Sequence, residues 1–186
     1  MARKESITID MISETAFQMA REEGVESVTA RKLAAKTGCS TQPIFRVYKN
    51  MEELWTAIYD RSVDYFMSYY EAYPQVSQVP FARMGMAYIS FAKEEKNLFR
   101  LLFDSDQREG IQKKSMYEIL NGKKANVVSE INRAKAEGCK DPGEMFMRIW
   151  LFVHGAACMM LTGDNDLTQE EMLQLIMRSY HAFMKE

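Results

Sequence analysis

The 186-residue chain has few of the side chains on which catalysis and metal binding usually depend. It contains only two histidines, His154 and His181, and neither belongs to a helical metal pair or a Glu-x-x-His motif. A glycine-rich phosphate loop, a Gly-x-Ser-x-Gly elbow and a paired-cysteine site are all absent from the sequence. We therefore predict that the protein is not an enzyme, binds no metal and needs no cofactor.

Cysteine is scarce, and long apolar runs are lacking. The three cysteines, Cys39, Cys139 and Cys158, are odd in number and not spaced as metal ligands, which indicates a reduced, cytoplasmic setting. The N-terminal segment has no continuous apolar run, so we expect no signal peptide. The longest apolar stretch, 149–161, is interrupted by His154 and is shorter than the ~20 residues that span a bilayer. We expect no membrane partner.

Composition and charge describe an ordinary globular chain with a weak asymmetry. Apolar residues make up 47% and charged residues 27% of the sequence, which excludes a disordered protein. The first 50 residues carry eight Lys and Arg against six Asp and Glu, a net charge of +2, whereas the whole chain carries −2. A weakly basic N-terminal segment ahead of an acidic remainder suits local contact with phosphates.

The hydrophobic pattern predicts helices throughout. No stretch alternates as a half-buried strand does, so we predict an all-α fold of about nine helices. Pro74 and Pro80 bracket a linker. Cap signals mark three later helix starts, at Asn50 with Glu53, at Asp141-Pro142 and at Thr168. The predicted helices lie at about residues 4–23, 50–70, 81–95, 96–104, 112–137, 142–162 and 168–184, besides two short helices in between.

Those two short helices form the most informative pattern in the chain. Thr29 is placed to cap the first of them, and Gly38 supplies the left-handed turn that ends it. Ser40 is predicted to cap the second, with Pro43 in its first turn. Helix, glycine turn and short capped helix make a helix-turn-helix, whose second helix can enter a DNA major groove.

With these landmarks the sequence resembles the TetR family of transcriptional regulators. The resemblance implies a DNA-binding domain at 1–50 and an all-helical domain for effector binding and dimerisation at 51–186. A second, shorter similarity is to a Trp–His–Gly motif in one branch of the family, here Trp150, His154 and Gly155. The N-terminal landmarks that carry the resemblance are 24–29, Leu33, Ala34, Gly38, Phe45, Tyr48 and 50–54.

The second helix of the motif supplies the candidate base contacts. Thr41 and Gln42 fall near its exposed start, and Gln can pair with adenine through two hydrogen bonds. Arg46 can reach a guanine or a phosphate. Arg3 and Lys4 are a candidate basic arm. The predicted DNA-binding residues are Thr29, Arg31, Lys32, Ser40, Thr41, Gln42, Arg46, Tyr48 and Lys49.

Two positions depart from the family pattern. Family members usually have tyrosine where Phe45 stands and lysine where Met51 stands, and both usually contact phosphates. Backbone N–H groups at the helix start near Asn50, together with Lys49, could replace them. One alternative therefore stays open, a helical module of the same fold that no longer binds DNA.

The remainder of the chain is rich in methionine and aromatic residues, which suits an adaptable apolar cavity. The resemblance implies an effector there, and we expect a small apolar or amphipathic molecule. The other interpretation is that these residues are ordinary core. The predicted ligand-binding residues are Tyr88, Phe91, Phe103, Met116, Trp150 and His154.

The last two predicted helices carry more apolar residues than one antiparallel pair can cover, which favours a homodimer built as a four-helix bundle. The alternative is that these faces pack within the same chain. The residues in question are Met145, Phe146, Ile149, Phe152, Val153, Met160, Leu167, Met172, Leu175, Ile176, Tyr180 and Phe183.

The resemblance implies a ligand-responsive regulator, and we expect a repressor that an effector releases from a palindromic operator on double-stranded DNA. A constitutive repressor without an effector is a further alternative. Asp104, Asp106 and Glu109 form an acidic cluster, which we interpret as a solvated loop rather than a catalytic site.

Overall fold

The computed structural model describes residues 8–104, 111–164 and 166–185, and every regular element in these ranges is helical. The predicted all-α fold is confirmed, with ten α-helices in the described residues where about nine were expected. A 3-10 turn at Val25–Ser27 joins the first two. The helices are α1 (Ile9–Glu23), α2 (Ala30–Thr37), α3 (Gln42–Val47), α4 (Met51–Ala72), α5 (Ala82–Glu94), α6 (Lys96–Phe103), α7 (Met116–Asn121), α8 (Asn126–Ala136), α9 (Pro142–Thr162) and α10 (Gln169–Phe183).

The additional helix arises because the single helix predicted at 112–137 is interrupted. Gly122 and Ala125 both have positive φ, at 54° and 51°, and such residues cannot continue a right-handed helix. A Cβ on Gly122 would lie 2.4 Å from Cε of Met67, so a larger residue would displace that side chain besides adopting a strained φ. The chain therefore forms α7 and α8 as separate helices.

Helix starts that depend on local cap signals are confirmed. The Thr29 hydroxyl accepts a hydrogen bond from the Lys32 amide at 3.3 Å, and Asp141 accepts one from the Glu144 amide at 2.8 Å. Thr168 begins α10 with a complete capping box. Each signal involves residues three apart in sequence, so distant parts of the chain do not disturb it.

The predicted cap of α3 is wrong by one residue. Thr41, not Ser40, is the residue before the first turn, and its side chain makes no capping bond. A cap at Ser40 would place Pro43 at the third helical position, where the capped N–H should be, and proline has no N–H. Helix α3 therefore starts at Gln42, which places the proline where no donor is needed.

The end of α4 lies two residues beyond the predicted Tyr70. Arg83 donates hydrogen bonds to the carbonyls of Tyr70, Glu71 and Tyr73, at 3.0, 3.1 and 3.0 Å. The carbonyls of Tyr70 and Glu71 belong to the last turn of the helix, where carbonyls lack the usual helical partners, and Tyr73 follows directly. The guanidinium group therefore caps α4 from a residue distant in sequence, which local signals do not reveal.

Packing divides the chain into two compact units. The first contains the described residues up to Tyr65 together with those of Asn97–Lys113, and the second contains the described residues of Phe66–Lys96 and Lys114–Glu186. The predicted boundary at residue 50 falls inside the first unit. Division by packing does not test which segment has which function, so that boundary stays a prediction.

The first unit has its own apolar core, formed by α1, α2, α3, the start of α4 and α6. Phe17, Leu33 and Leu54 are buried there. The Trp55 indole donates a hydrogen bond to the Val28 carbonyl at 3.1 Å, which ties α4 to the segment just before α2. This core is the scaffold that holds the helix-turn-helix.

In the second unit α5 is the central helix, and it packs against α9 and α10. Gly85 marks the closest approach, because a Cβ there would lie 3.0 Å from Val153 and 3.2 Å from Ile176. Met145, Ile149 and Val153 of α9 are buried in the unit. Several residues predicted to form a dimer interface thus pack inside the chain.

Helix α9 is long and apolar enough to cross a membrane, judged by length and composition alone. The apolar stretch at 149–161 is itself shorter than a bilayer span, but the helix extends from it back to Pro142. It packs against α5 within the second unit. The predicted arm at Arg3 and Lys4, and the acidic residues Asp106 and Glu109, lie outside the described residues.

Candidate nucleic-acid interface and apolar cavity

The turn between α2 and α3 has the geometry that the sequence predicts. Gly38 is left-handed, with φ of 68° and ψ of 28°. The amide of Cys39 donates to the Ala34 carbonyl at 3.0 Å, and the amide of Gly38 donates to the Ala35 carbonyl at 3.3 Å. These two bonds occupy the last carbonyls of α2 and fix the direction in which the chain leaves it.

Helix α3 buries one side chain completely and presents its polar side chains to solvent. Ile44 is fully buried in the first unit. Thr41, Gln42 and Arg46 are exposed, and Phe45 is 46% exposed. A short helix with one fully buried side chain and polar groups on its outer side has the form needed to enter a groove of DNA.

Several cationic side chains lie around this helix. Some of them are close to a carboxylate of the same chain, and others are not. Arg31, Arg46 and Lys49 are exposed, and each is available for a phosphate. Lys32 lies 4.0 Å from the Glu23 carboxylate. The carboxylate of Glu23 is bonded at 2.8 Å to another lysine, Lys36, whose ammonium holds the pKa of Glu23 below its usual value.

The remaining predicted contact residues occupy separate positions around the motif. Thr29 is exposed, and because its hydroxyl oxygen accepts the Lys32 amide, its proton is available for a phosphate oxygen. Ser40 is exposed in the turn, and Tyr48 is half-buried at the end of α3. The structure places all nine predicted DNA-binding residues in the first unit.

The start of α4 differs from the expected phosphate site. The Asn50 side chain accepts the Glu53 amide at 2.9 Å, which confirms the predicted cap. The Glu53 carboxylate does not return to Asn50 but accepts the Lys49 amide at 2.7 Å. One of the N–H groups expected to hold a phosphate is therefore occupied by a carboxylate of the same chain.

The second unit contains a small apolar cavity between α5 and α9. It has about 10 Å³ of space for the centre of a water-sized molecule, which is roughly the room one water needs. Tyr88 and Trp150 are the predicted ligand-binding residues that line it. The complete lining is Phe81, Met84, Gly85, Tyr88, Phe146, Ile149, Trp150 and Val153.

The other predicted ligand-binding residues do not line this cavity. Phe91 packs edge-on against Phe66, with ring centroids 5.0 Å apart. Phe103 belongs to the first unit, where its ring lies 5.1 Å from that of Phe99. Met116 is the first residue of α7. The structure thus brings together only part of the predicted set.

His154 is connected to the cavity through its neighbours. Its Nδ1 lies 2.9 Å from the Tyr88 hydroxyl, and its ring stacks on Trp150 at a centroid distance of 5.5 Å. Burial raises the pKa of Tyr88, with a smaller contribution from Cys158, so this phenol is neutral. The histidine therefore has defined polar and aromatic partners.

A larger groove, which the sequence analysis did not predict, lies between the start of α9 and the end of α10. It offers about 220 Å³ and has both charged and apolar walls. Arg148 crosses it, bonded to Glu144 at 2.7 Å and with its guanidinium carbon 5.1 Å from the centre of the Phe183 ring. No local motif signals this groove, because it depends on how two helices distant in sequence meet.

The exposed apolar side chains of the last two helices form a different set from the one predicted. On α9 they are Met147, Leu151 and Met159, and Leu175 is exposed on α10. Leu151 is 67% exposed, an unusual value for a leucine in the middle of a long helix. Of the predicted set, Leu167 and Leu175 are exposed, Phe152, Met160 and Phe183 are half-buried, and Met145, Phe146, Ile149, Val153, Met172, Ile176 and Tyr180 are buried within the chain.

The described residues form an all-helical protein, and its first unit contains a helix-turn-helix built from α2 and α3. A solved TetR-family transcriptional regulator from Haemophilus influenzae has this fold, with a TM-score of 0.63 and 18% identity over 93% of this chain and 94% of that one. A protein from Mesorhizobium loti described as a TetR-family transcriptional regulator has a TM-score of 0.59 and 17% identity, over 95% and 94% of the two chains.

The superantigen PfiT also shares the fold, with a TM-score of 0.60 and 21% identity over 90% of this chain and 92% of that one. No protein-family model and no curated sequence matches the chain. The chain therefore has the fold of TetR-family regulators, which confirms the architecture that the N-terminal landmarks imply.

Proposed function

We propose that the protein is a DNA-binding transcriptional regulator that acts as a homodimer in the cytoplasm. The observation that carries this proposal is the presentation of α3, in which Ile44 is buried while Thr41, Gln42 and Arg46 project into solvent. The similarity of the whole fold to TetR-family regulators supports it.

In this function the exposed face of α3 reads bases. The Gln42 amide can pair with the N6 and N7 edge of adenine, and Thr41 can bond a base or contact a thymine methyl. Arg46 reaches a guanine or a phosphate. Thr29, Arg31, Lys32, Ser40, Tyr48 and Lys49 contact the backbone, which positions the protein without specifying sequence.

The dimer forms through α9 and α10. Leu151 and Met147 of α9 and Leu175 of α10 are exposed apolar side chains that a second copy would cover. Residues 149–162 of α9 include no Asp, Glu, Lys or Arg, so this part of the helix has no such charge to desolvate when it is buried. A two-fold dimer presents two copies of α3, and its operator is then a near-palindrome.

Regulation in this proposal is repression relieved by a small apolar or amphipathic effector. The aromatic lining of the cavity between α5 and α9, including Tyr88 and Trp150, supports an apolar guest. Its volume of about 10 Å³ is far below the ~300 Å³ of a ligand pocket, so binding requires its walls to move apart. A thermal shift screen of apolar compounds tests this part. Compounds that raise the melting temperature and weaken DNA binding support an effector.

DNA binding is tested by selection from a random duplex library with the full-length protein. We expect enrichment of a near-palindromic sequence whose half-sites lie about one helical turn, or a small multiple of it, apart. A gel shift with the region upstream of the gene then tests autoregulation. A library that shows no enrichment at low salt, with protein that is folded and dimeric, would reject the proposal.

A second candidate is a module of the same fold that does not bind DNA. Phe45 cannot donate a hydrogen bond, Met51 carries no charge, and the Glu53 carboxylate occupies the Lys49 amide. PfiT, described as a superantigen, belongs to the same set of structural relatives. Absence of DNA binding together with a dimer in solution would favour this candidate. In neither candidate do we propose an enzymatic activity.

A further inference from the structure

The outer face of α9 carries a histidine and a cysteine one helical turn apart. Nε2 of His154 lies 3.7 Å from Sγ of Cys158. Around a tetrahedral zinc ion with Zn–N of about 2.0–2.1 Å and Zn–S of about 2.3 Å, adjacent ligand atoms lie ~3.5 Å apart. The two side chains thus have nearly the separation of neighbouring zinc ligands.

The histidine is also held in the orientation that a metal ligand requires. Its Nδ1 is hydrogen-bonded to the Tyr88 hydroxyl at 2.9 Å, and its ring stacks on Trp150 with an interplanar angle of 22°. When Nδ1–H donates to the Tyr88 oxygen, Nε2 keeps its lone pair and faces Cys158. A hydrogen bond of this kind on the second ring nitrogen is typical of metal-binding histidines.

Two ligands do not complete a tetrahedral site. Among the residues that the structure describes, no group of three or more His, Cys, Asp or Glu side chains is placed to hold a metal ion. We infer that the missing ligands come from another molecule. Zinc is the metal that fits, because it accepts nitrogen and thiolate ligands together.

The position of His154 and Cys158 on α9 indicates which molecule supplies the missing ligands. Cys158 is exposed, and it lies on the same face of α9 as the exposed Leu151 and Met147. Gly155 lies beside it, and a Cβ added there would meet nothing within 4 Å, so a second helix can approach closely. In a two-fold dimer, a residue beside the symmetry axis lies next to its own counterpart.

We propose that two copies of the chain, paired through this face of α9, share one zinc ion bound by His154 and Cys158 of each copy. This inference rests on the dimer of the proposed function. Each thiol loses its proton to solvent as the Zn–S bond forms, and the oxidation states of zinc and sulfur do not change. The site gives the dimer a fixed register and makes its stability depend on zinc.

The experiment uses the full-length protein, kept reduced and freed of metal with a chelator. Sedimentation first gives the oligomeric state without metal. Zinc titration is then expected to saturate at one ion per two chains and to raise the melting temperature by several degrees. Cobalt(II), used as a spectroscopic substitute, is expected to give thiolate-to-cobalt charge-transfer absorption and the strong visible bands of tetrahedral coordination.

Matched variants identify the ligands. Cys158→Ser and His154→Gln are each expected to abolish the cobalt charge-transfer or tetrahedral signal, whereas Cys139→Ser and His181→Gln leave it unchanged. Tyr88→Phe removes only the hydrogen bond to Nδ1 and is expected to weaken zinc binding by about 10- to 100-fold. Circular dichroism of each metal-free variant checks that its helices are intact. Cys158 is exposed, so its serine variant keeps the fold.

The outcomes separate this inference from the dimer on which it rests. A metal-free dimer that takes up no zinc overturns the shared site and leaves the dimer intact. A chain that stays monomeric with and without zinc overturns both. A monomer that binds zinc one to one, or a site unaffected by Cys158→Ser, overturns the assignment of two ligands from each copy.

Discussion

The Glu53 carboxylate accepts a hydrogen bond from the backbone amide of Lys49 at 2.7 Å, across the start of α4. The Asn50 side chain accepts a hydrogen bond from the Glu53 amide in return. Two hydrogen bonds therefore hold the turn before the helix. The arrangement stabilises the helix start. It also places a negative charge where the proposed DNA complex would have a phosphate, since helix starts attract anions.

We therefore expect Glu53→Ala to strengthen DNA binding on specific and random duplexes alike. The change removes the carboxylate and frees the Lys49 amide for a phosphate oxygen. Glu52→Ala is the matched control, because it removes the same charge from the same turn without a bond to that amide. Fluorescence anisotropy on both duplexes measures the effect. Equal gains for the two variants would show that charge alone matters.

Gln42→Ala and Lys49→Ala are expected to affect binding differently. Loss of the Gln42 amide should reduce the preference for the selected sequence by about 1–3 kcal/mol, because a pair of hydrogen bonds to one base is lost. Lys49→Ala should weaken binding to all sequences and lower the salt-dependence slope by about 1. Both are measured on the selected duplex and a scrambled one at several salt concentrations. If neither variant differs from the parent, α3 does not dock as proposed.

Restoring the residues usual in the family is expected to raise affinity. Phe45→Tyr adds a hydroxyl to a ring that is 46% exposed, and Met51→Lys adds one positive charge at the start of α4. Met51→Lys should steepen the salt dependence by about 1, whereas Phe45→Tyr should leave it unchanged, because only the lysine neutralises a phosphate. Gel shifts of the two single variants and the double variant test this. Unchanged affinity in all three would favour the module that does not bind DNA.

Leu151→Glu is expected to break the dimer without unfolding the chain. Leu151 is 67% exposed, so glutamate is hydrated in a single copy but would be buried without a partner in the proposed interface. We expect the dimer dissociation constant to rise by at least ~100-fold. Val128→Glu is the control, since Val128 is also an exposed apolar residue but lies on α8. Analytical ultracentrifugation distinguishes the two, and dissociation by both variants alike would move the interface away from α9.

The parts of the fold that could be predicted from the sequence depend on residues close together in it. The caps at Thr29, Asp141 and Thr168 and the left-handed Gly38 are of this kind. The wrong cap at Ser40 is local too, because Pro43 lacks the N–H that such a cap would bind. The exposed residues of α3 followed directly once the helix-turn-helix was recognised.

The parts that could not be predicted depend on which helices meet. The sequence shows that Ile149 and Leu151 are both apolar, but only packing against α5 makes one buried and the other exposed. Phe103 was grouped with Tyr88 by residue type, yet it packs in the other unit. The spacing of four between His154 and Cys158 places them on one face of a helix, but only the structure shows that Nε2 and Sγ lie 3.7 Å apart.

Because Gly85 has no side chain, α5 and α9 can pack closely in the second unit. A single methyl group at this position would lie 3.0 Å from Val153, so α5 and α9 are already in contact along the wall of the cavity. We expect a guest larger than a water to require movement of these helices or of the side chains between them. Binding of a guest in the cavity would then be coupled to movement of its walls. One of these walls is α9, the helix that also carries Leu151.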